Sequence, residues 1–227
     1  MTTDEIIARL DVYSKRLRQS VTQALCLNST FQSLNENKEW REAIAGTGVA
    51  AATNIIQHAV LRELILIVVR VFDRPRGKLE SSDKVSFPVI STWLERDEVR
   101  DELVLRARNW FDDGYRADEN EASVRDAIKR LRDGLDRLEK EIPNREKRLR
   151  QFRDEFLAHE LHFDIPRDKP LFGHIYEMLD EIKTLSEATA LAVEGSSVAW
   201  NFVNEEMRES ADELWKSVAT NSSSKVS

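Results

Sequence analysis

Apolar positions recur at helical intervals along nearly the whole chain. Ile6, Leu10, Tyr13, Leu17, Val21 and Ala24 follow one another at steps of three and four, behind Thr2 and Glu5 at the spacing of a capping box. The pattern predicts an amphipathic helix running to about Phe31, a break at Asn35-Glu36-Asn37-Lys38 and a second break at Gly46-Thr47-Gly48. From Val49 to Asp73 apolar residues cover most of the circumference, which predicts a central helix enclosed by others. Asp73-Arg74-Pro75-Arg76-Gly77 ends it. Ser86, with Pro88 just inside, then opens a helix whose Val89, Ile90, Trp93, Leu94, Val99 and Leu103 would face a core.

Beyond the acidic turn Asp112-Asp113-Gly114, Val124, Ile128, Leu131, Leu135, Leu138 and Ile142 alternate steps of four and three, the seam of a coiled coil. Pro143 stops that helix, and a further one is predicted from about Asn144 to Phe163, so the two should form an antiparallel hairpin. Ile165-Pro166 through Lys169-Pro170 reads as a rigid loop. Two more helices follow, about Leu171 to Val193 and Ser197 to Val218, and the polar residues 220–227 read as a disordered tail. The expectation is an all-α bundle of about six or seven helices, a single domain over residues 1–219.

Composition narrows the class. The 227 residues are 41% hydrophobic and 33% charged, with seven Gly and five Pro, which favours long helices with solvated faces. The single Cys26 excludes an intrachain disulfide and a cysteine-based zinc site; between Leu25 and Leu27 it is expected in the core. Met1-Thr2-Thr3-Asp4-Glu5 is acidic where an export signal would be basic, so a cytoplasmic location is expected. The strongest apolar run, Leu64 to Val69, is bounded by Arg62, Glu63 and Arg70 and falls short of a membrane span. The net charge of −7 argues against a general nucleic-acid coat and leaves room only for a local basic patch. Arg145, Lys147, Arg148, Arg150 and Arg153, against the lone acid Glu146, form such a patch. It reads equally as an RNA-contacting surface or as the solvated face of a charged helix.

That patch leads into Arg153-Asp154-Glu155-Phe156-Leu157-Ala158-His159. On a helix, Arg153 and His159 stand about 120° apart and roughly 9 Å apart along the axis, bordering a stripe of Leu149, Phe152, Phe156 and Phe163. No acid occupies an i±3 or i±4 position around Arg153, so its partner must come from elsewhere. His159 has Glu155 one turn back, which can orient the ring or raise its pKa. An arginine and a histidine at this distance are also common as surface salt-bridge partners.

An arginine, a polar residue, a short gap and a histidine on a late helix resemble the signature of the HEPN superfamily. The likeness extends to Leu61-Arg62-Glu63-Leu64-Ile65-Leu66-Ile67-Val68-Val69-Arg70-Val71-Phe72-Asp73 and the helix around Phe87-Pro88-Val89-Ile90, which resemble the first block of the bacterial abortive-infection U-type HEPN proteins. It spans about residues 50–215. The resemblance implies a HEPN-like helical bundle that forms a homodimer, with motif helices facing across a two-fold axis, and a metal-independent ribonuclease chemistry without cofactor. Arg153 would then hold the scissile phosphate, His159 would move protons at the 2′-hydroxyl or the leaving 5′-oxygen, and Asp154 would orient one of them. Arg145, Lys147, Arg148 and Arg150 would contact RNA. An antitoxin or sensor protein is the implied partner, in phage defence or a toxin–antitoxin system. The alternative is a non-catalytic dimerisation or nucleotide-binding module whose hairpin seam engages a partner.

Other chemistries are weaker. His159-Glu160-Leu161-His162 with Asp164 and His174 offers a ligand spacing, but the Glu-x-x-His repeats of di-iron bundles are missing, so no metal is expected. No Walker loop, dinucleotide fingerprint or serine triad order appears. Trp40, Trp93, Trp110, Trp200 and Trp215 sit at core spacing and are expected as packing anchors.

Overall fold

Helical hydrogen bonding accounts for all regular structure among the described residues, with no strand. The computed structural model describes residues 1–75, 77–110, 116–141 and 172–223. In chain order the helices are α1 (Thr3–Glu36), α2 (Lys38–Ala45), α3 (Ala50–Arg70), α4 (Phe87–Leu94), α5 (Asp97–Arg108), α6 (Ala117–Glu141), α7 (Phe172–Glu194) and α8 (Trp200–Ser223), with a 3-10 turn at Leu79–Ser81. Contacts divide the chain into two compact units, Met1–Val21 with Val68–Val198 and Thr22–Ile67 with Ala199–Ser227. Helices α1 and α3 contribute residues to both.

The first unit begins at the expected capping box. Thr2 N–H donates to Glu5 Oε2 at 2.8 Å and Glu5 N–H to Thr2 Oγ1 at 3.3 Å, which satisfies two amides at the start of α1. Ile6, Leu10, Tyr13, Leu17 and Val21 are all buried along the stripe the spacing predicts. The helix expected after Ser86 is two helices. Its step of five between Leu94 and Val99 does not fit a single helical face, and Arg96, in extended conformation, separates α4 from α5. Val89, Ile90, Trp93, Leu94, Val99 and Leu103 are nonetheless all buried.

Helix α6 is the hub of this unit and packs chiefly on α7 and α5, with α4 across its end. Of its predicted seam, Val124, Leu131 and Leu138 are buried together with Ala127, whereas Ile128 and Leu135 are only half covered. The seam is therefore occupied by helices of the same chain, and it is not a free surface for a partner. Ile142 and the expected second arm of the hairpin lie outside the described residues.

The second unit centres on Leu34, Ile44, Trp215 and Ala219, with Trp40, Ala43, Ala50 and Val218 packed against them. Asn37 makes the first break by capping α2, its side chain accepting from Trp40 N–H at 3.1 Å. Trp215 Nε1–H donates to the Thr30 carbonyl at 2.7 Å, so the indole is buried without leaving its donor unpaired. Helix α8 runs to Ser223, past the point where the polar composition suggested a tail. Thr220 and Ser222 hydroxyls donate one turn back to Lys216 and Val218 carbonyls, and Ser222 is buried.

Two expectations of burial are corrected. Cys26 is exposed, because α1 buries Val21, Ala24, Leu25 and Asn28, and position 26 points away from that stripe. Helix α3 is enclosed only over its last turns. Leu64, Ile65, Ile67, Val68 and Val69 are buried, but Ile55 is 70% exposed and Ile56 47%. Among the described residues α3 is the one helix long and apolar enough to cross a membrane by length and composition, with a third of its most apolar window buried.

Candidate functional site

The end of α3 is tied to the start of α4 by backbone and side-chain hydrogen bonds. Phe72 N–H donates to the Val69 carbonyl at 3.2 Å and Asp73 N–H to the Arg70 carbonyl at 3.0 Å, so the helix tightens into a final turn. Phe87 N–H returns to the Val71 carbonyl at 2.9 Å, and Ser86 Oγ donates to the Asp73 carbonyl at 2.6 Å. The rings of Phe72 and Phe87 pack with centroids 5.8 Å apart. The two sequence blocks at 61–73 and 87–90 are thus one clamped corner. Ser86 spends its hydroxyl on this clasp and makes no side-chain cap on α4.

Beside the corner lies a cleft of about 360 Å³ between the α3–α4 connection, α4 and the last turns of α6. Phe72 and Leu135 supply apolar wall, and Arg74, Glu95, Asp136 and Glu139 supply its charged groups. Arg74 Nη2 lies 3.0 Å from Glu139 Oε2, and both side chains are more than half exposed, so the bridge contributes at most about 1 kcal/mol. Three carboxylates against one guanidinium make this cleft a poor receptor for phosphate.

The same unit fixes where the motif segment departs and returns. Gly134 of α6 lies against Leu185 of α7, and three residues on, Arg137 pairs with Glu181, four residues earlier in α7. The two helices are therefore antiparallel. Glu141 and Phe172, where the described chain stops and resumes, stand at one end of this pair. Arg145, Lys147, Arg148, Arg150, Arg153, Asp154 and His159 all fall between them and lie outside the described residues, as do His162 and Asp164. Of the weaker candidates, His174 is half-buried on α7 and His58 is exposed on α3.

Two acids in the described part carry shifted pKa values. Burial pushes the Asp11 carboxyl up, with Glu194 adding to the rise and Arg106 and Lys15 opposing it. Glu80 is held below the ordinary glutamate value, first by its hydrogen bond from Arg96. Glu194 accepts from Ser14 Oγ at 2.6 Å and pairs with Arg18 at 3.0 Å, joining α7 to α1. These contacts lie within one unit and bind helices together, and Glu80 also lines an open pocket with Arg9, Tyr13 and Arg16.

A second basic surface was hidden in the linear pattern. Arg125, Lys129 and Arg132 share a face of α6, but Asp126 stands among them in sequence and Asp133 and Asp136 follow directly. Helical phase turns Asp126 and Asp133 off that face, while Asp136, one turn beyond Arg132, stays in line with it.

Residues 7–214 match the AbiU2 family of HEPN domains. The chain belongs to that family. It is an abortive-infection-related HEPN domain, and the AbiU2 match takes in both the clamped corner at 61–90 and the interval that carries Arg153, Asp154 and His159. No curated protein and no solved structure matches the chain. The AbiU2 assignment agrees with the all-helical bundle.

Proposed function

We propose that this AbiU2-family protein is a metal-independent endoribonuclease acting in phage defence or a toxin–antitoxin system. The observation that carries the reading is the family match across residues 7–214, which includes Arg153, Asp154 and His159 at the spacing of a HEPN motif. RNA carries its own nucleophile, so the protein has to align the 2′-oxygen, neutralise charge at phosphorus and move protons near neutral pH. In this reading the 2′-oxygen attacks the adjacent phosphorus and loses its proton to a base. The bond to the 5′-oxygen breaks, and that oxygen takes a proton. The products are a 2′,3′-cyclic phosphate and a 5′-hydroxyl. Arg153 holds the phosphate, His159 transfers a proton, Asp154 orients one of them, and Arg145, Lys147, Arg148 and Arg150 contact the strand.

The working form is a cytoplasmic homodimer, not membrane-bound, held in check by an antitoxin or sensor protein. Cleavage of RNA by the pure protein with chelator present tests the reading. Cyclic-phosphate products that vanish with Arg153→Ala and with His159→Ala support it, and their persistence in either variant removes it.

A second reading, a non-catalytic helical module that binds a protein partner, draws support from the apolar surface left open by Ile55 and Ile56 on α3. The α6 seam no longer supports it, since Leu131 is fully buried.

A further inference from the structure

We infer that the groove between α5 and α6 is a binding track for the phosphodiester backbone of single-stranded RNA. The inference deepens the ribonuclease reading and rests on it, but it concerns residues far in sequence from the Arg153–His159 block.

The groove has a volume of about 310 Å³ and is lined by Arg100, Val104, Arg125, Ile128, Lys129 and Arg132. In a chain of net charge −7, four cations line it and none of the described carboxylates does. Val104 and Ile128 form an apolar floor, so the cationic heads stand along the rims.

Two of the acids beside this row are engaged elsewhere, and Asp136, one turn past Arg132, lines the cleft beside Arg74 and Glu139 and not this groove. Glu121, one turn before Arg125, pairs with Arg108 at 2.9 Å, and Asp126 pairs with Arg130 at 2.9 Å. Arg125 and Lys129 have no acidic partner among the described residues. Arg100 pairs with Asp97 and Arg132 with its neighbour Asp133 at 3.8 Å, both at the surface, where an incoming phosphate competes on equal terms. Cations at i, i+4 and i+7 on one helix face repel one another, and a bound polyanion relieves that repulsion.

Spacing points to a strand. Arg125, Lys129 and Arg132 rise along the α6 face by about 6 and 4.5 Å, roughly 10 Å in all, the axial length of about three stacked nucleotides of one strand. Arg100 approaches from the α5 side. No aromatic ring lines the groove to stack a base, so recognition should be of backbone and independent of sequence.

The test is the binding of a labelled oligouridylate whose 2′-O-methyl riboses cannot be cleaved, read by fluorescence anisotropy between about 50 and 200 mM salt. Arg125→Glu with Lys129→Glu should weaken binding tenfold or more, and Arg125→Gln with Lys129→Gln should lower the salt slope by about 1.4, at 0.7 per lost contact. Both pairs are exposed, and unchanged melting temperatures establish that the variants are folded. Wild-type binding that survives both double variants with the same slope overturns the groove while leaving the ribonuclease reading intact. Wild-type protein that binds no RNA overturns both. Polyglutamate that binds where RNA does not, and is lost in the variants, overturns the RNA assignment in favour of an acidic protein partner.

Discussion

Gly134 of α6 and Leu185 of α7 are in such close contact that a Cβ on Gly134 would stand 2.7 Å from Leu185 Cδ2. Leu185 is buried, so its side chain has little room to retreat. Replacing a mid-helix glycine by alanine ordinarily gains about 1 kcal/mol, but overpacking a core costs about 1–3 kcal/mol. Gly134→Ala should therefore be no more stable than wild type by urea denaturation, and Gly134→Val less stable still. A gain from alanine would show that α6 and α7 are less closely packed than this.

Gly195, with φ of +66°, ends α7 against the Trp110 ring, and a Cβ there would meet Trp110 atoms at 2.5–2.8 Å. Backbone strain and ring clash act together, so Gly195→Ala should cost about 2–4 kcal/mol. The melting temperature reads it directly, and Trp110→Leu in the same chain should recover the steric part.

Leu131→Asp places a charge at a fully buried position on α6 and should destabilise the protein by about 3–5 kcal/mol. An unchanged melting temperature would show that the seam is open to a partner after all.

Glu80 and Asp11 should give opposite dependences on pH. The Glu80 value is lowered in the folded protein, so the stability from its Arg96 pair is fully present above the unfolded value of about 4.3 and lost as pH falls through the folded value. Arg96 also lies 4.5 Å from the centroid of the Trp93 ring, which steadies the pair. The Asp11 value is raised, so ionising it costs stability as pH rises from the unfolded value through the folded one. Chemical denaturation from pH 3 to 7 should find Glu80→Gln less stable than wild type near neutrality and equal to it in acid. Asp11→Asn should be more stable near neutrality, with that advantage fading in acid.

On the helix that the sequence predicts, Arg153 and His159 would diverge by about 120°, so a phosphate is proposed to be gripped by Arg153 of one subunit and His159 of the other. Light scattering should give about twice the 26.2 kDa chain mass. Arg153→Ala and His159→Ala homodimers should each be inactive, but refolded together they should form heterodimers with one intact site and recover up to about half the activity per heterodimer. Zero activity from demonstrated heterodimers would end the trans arrangement.

The elements that local interactions specify were legible in the sequence. The Thr2–Glu5 cap, the Ile6 to Val21 stripe, the Asn37 break and the start of α4 after Ser86 each depend on groups within a turn or two, so spacing and residue type determine them. Family membership was legible for a related reason, because the Arg153–His159 block and the 61–73 block keep their order and chemistry along the chain. Cys26 was misread from its neighbours Leu25 and Leu27, although the helical phase of Val21, Ala24 and Leu25 already turned it outward. Coverage was decided by the tertiary structure alone. Leu64 and Ile55 look equally apolar in sequence, yet one is buried and the other open, because burial depends on which distant helices arrive. The same holds for α6. Its seam specified an apolar face, but α5 and α7 determine what covers it, and the Arg125–Lys129–Arg132 row becomes a groove only when α5 sets Arg100 and Val104 beside it. Periodicity is a property of one helix, whereas a cleft, a covered face or an unpaired cation is a property of at least two.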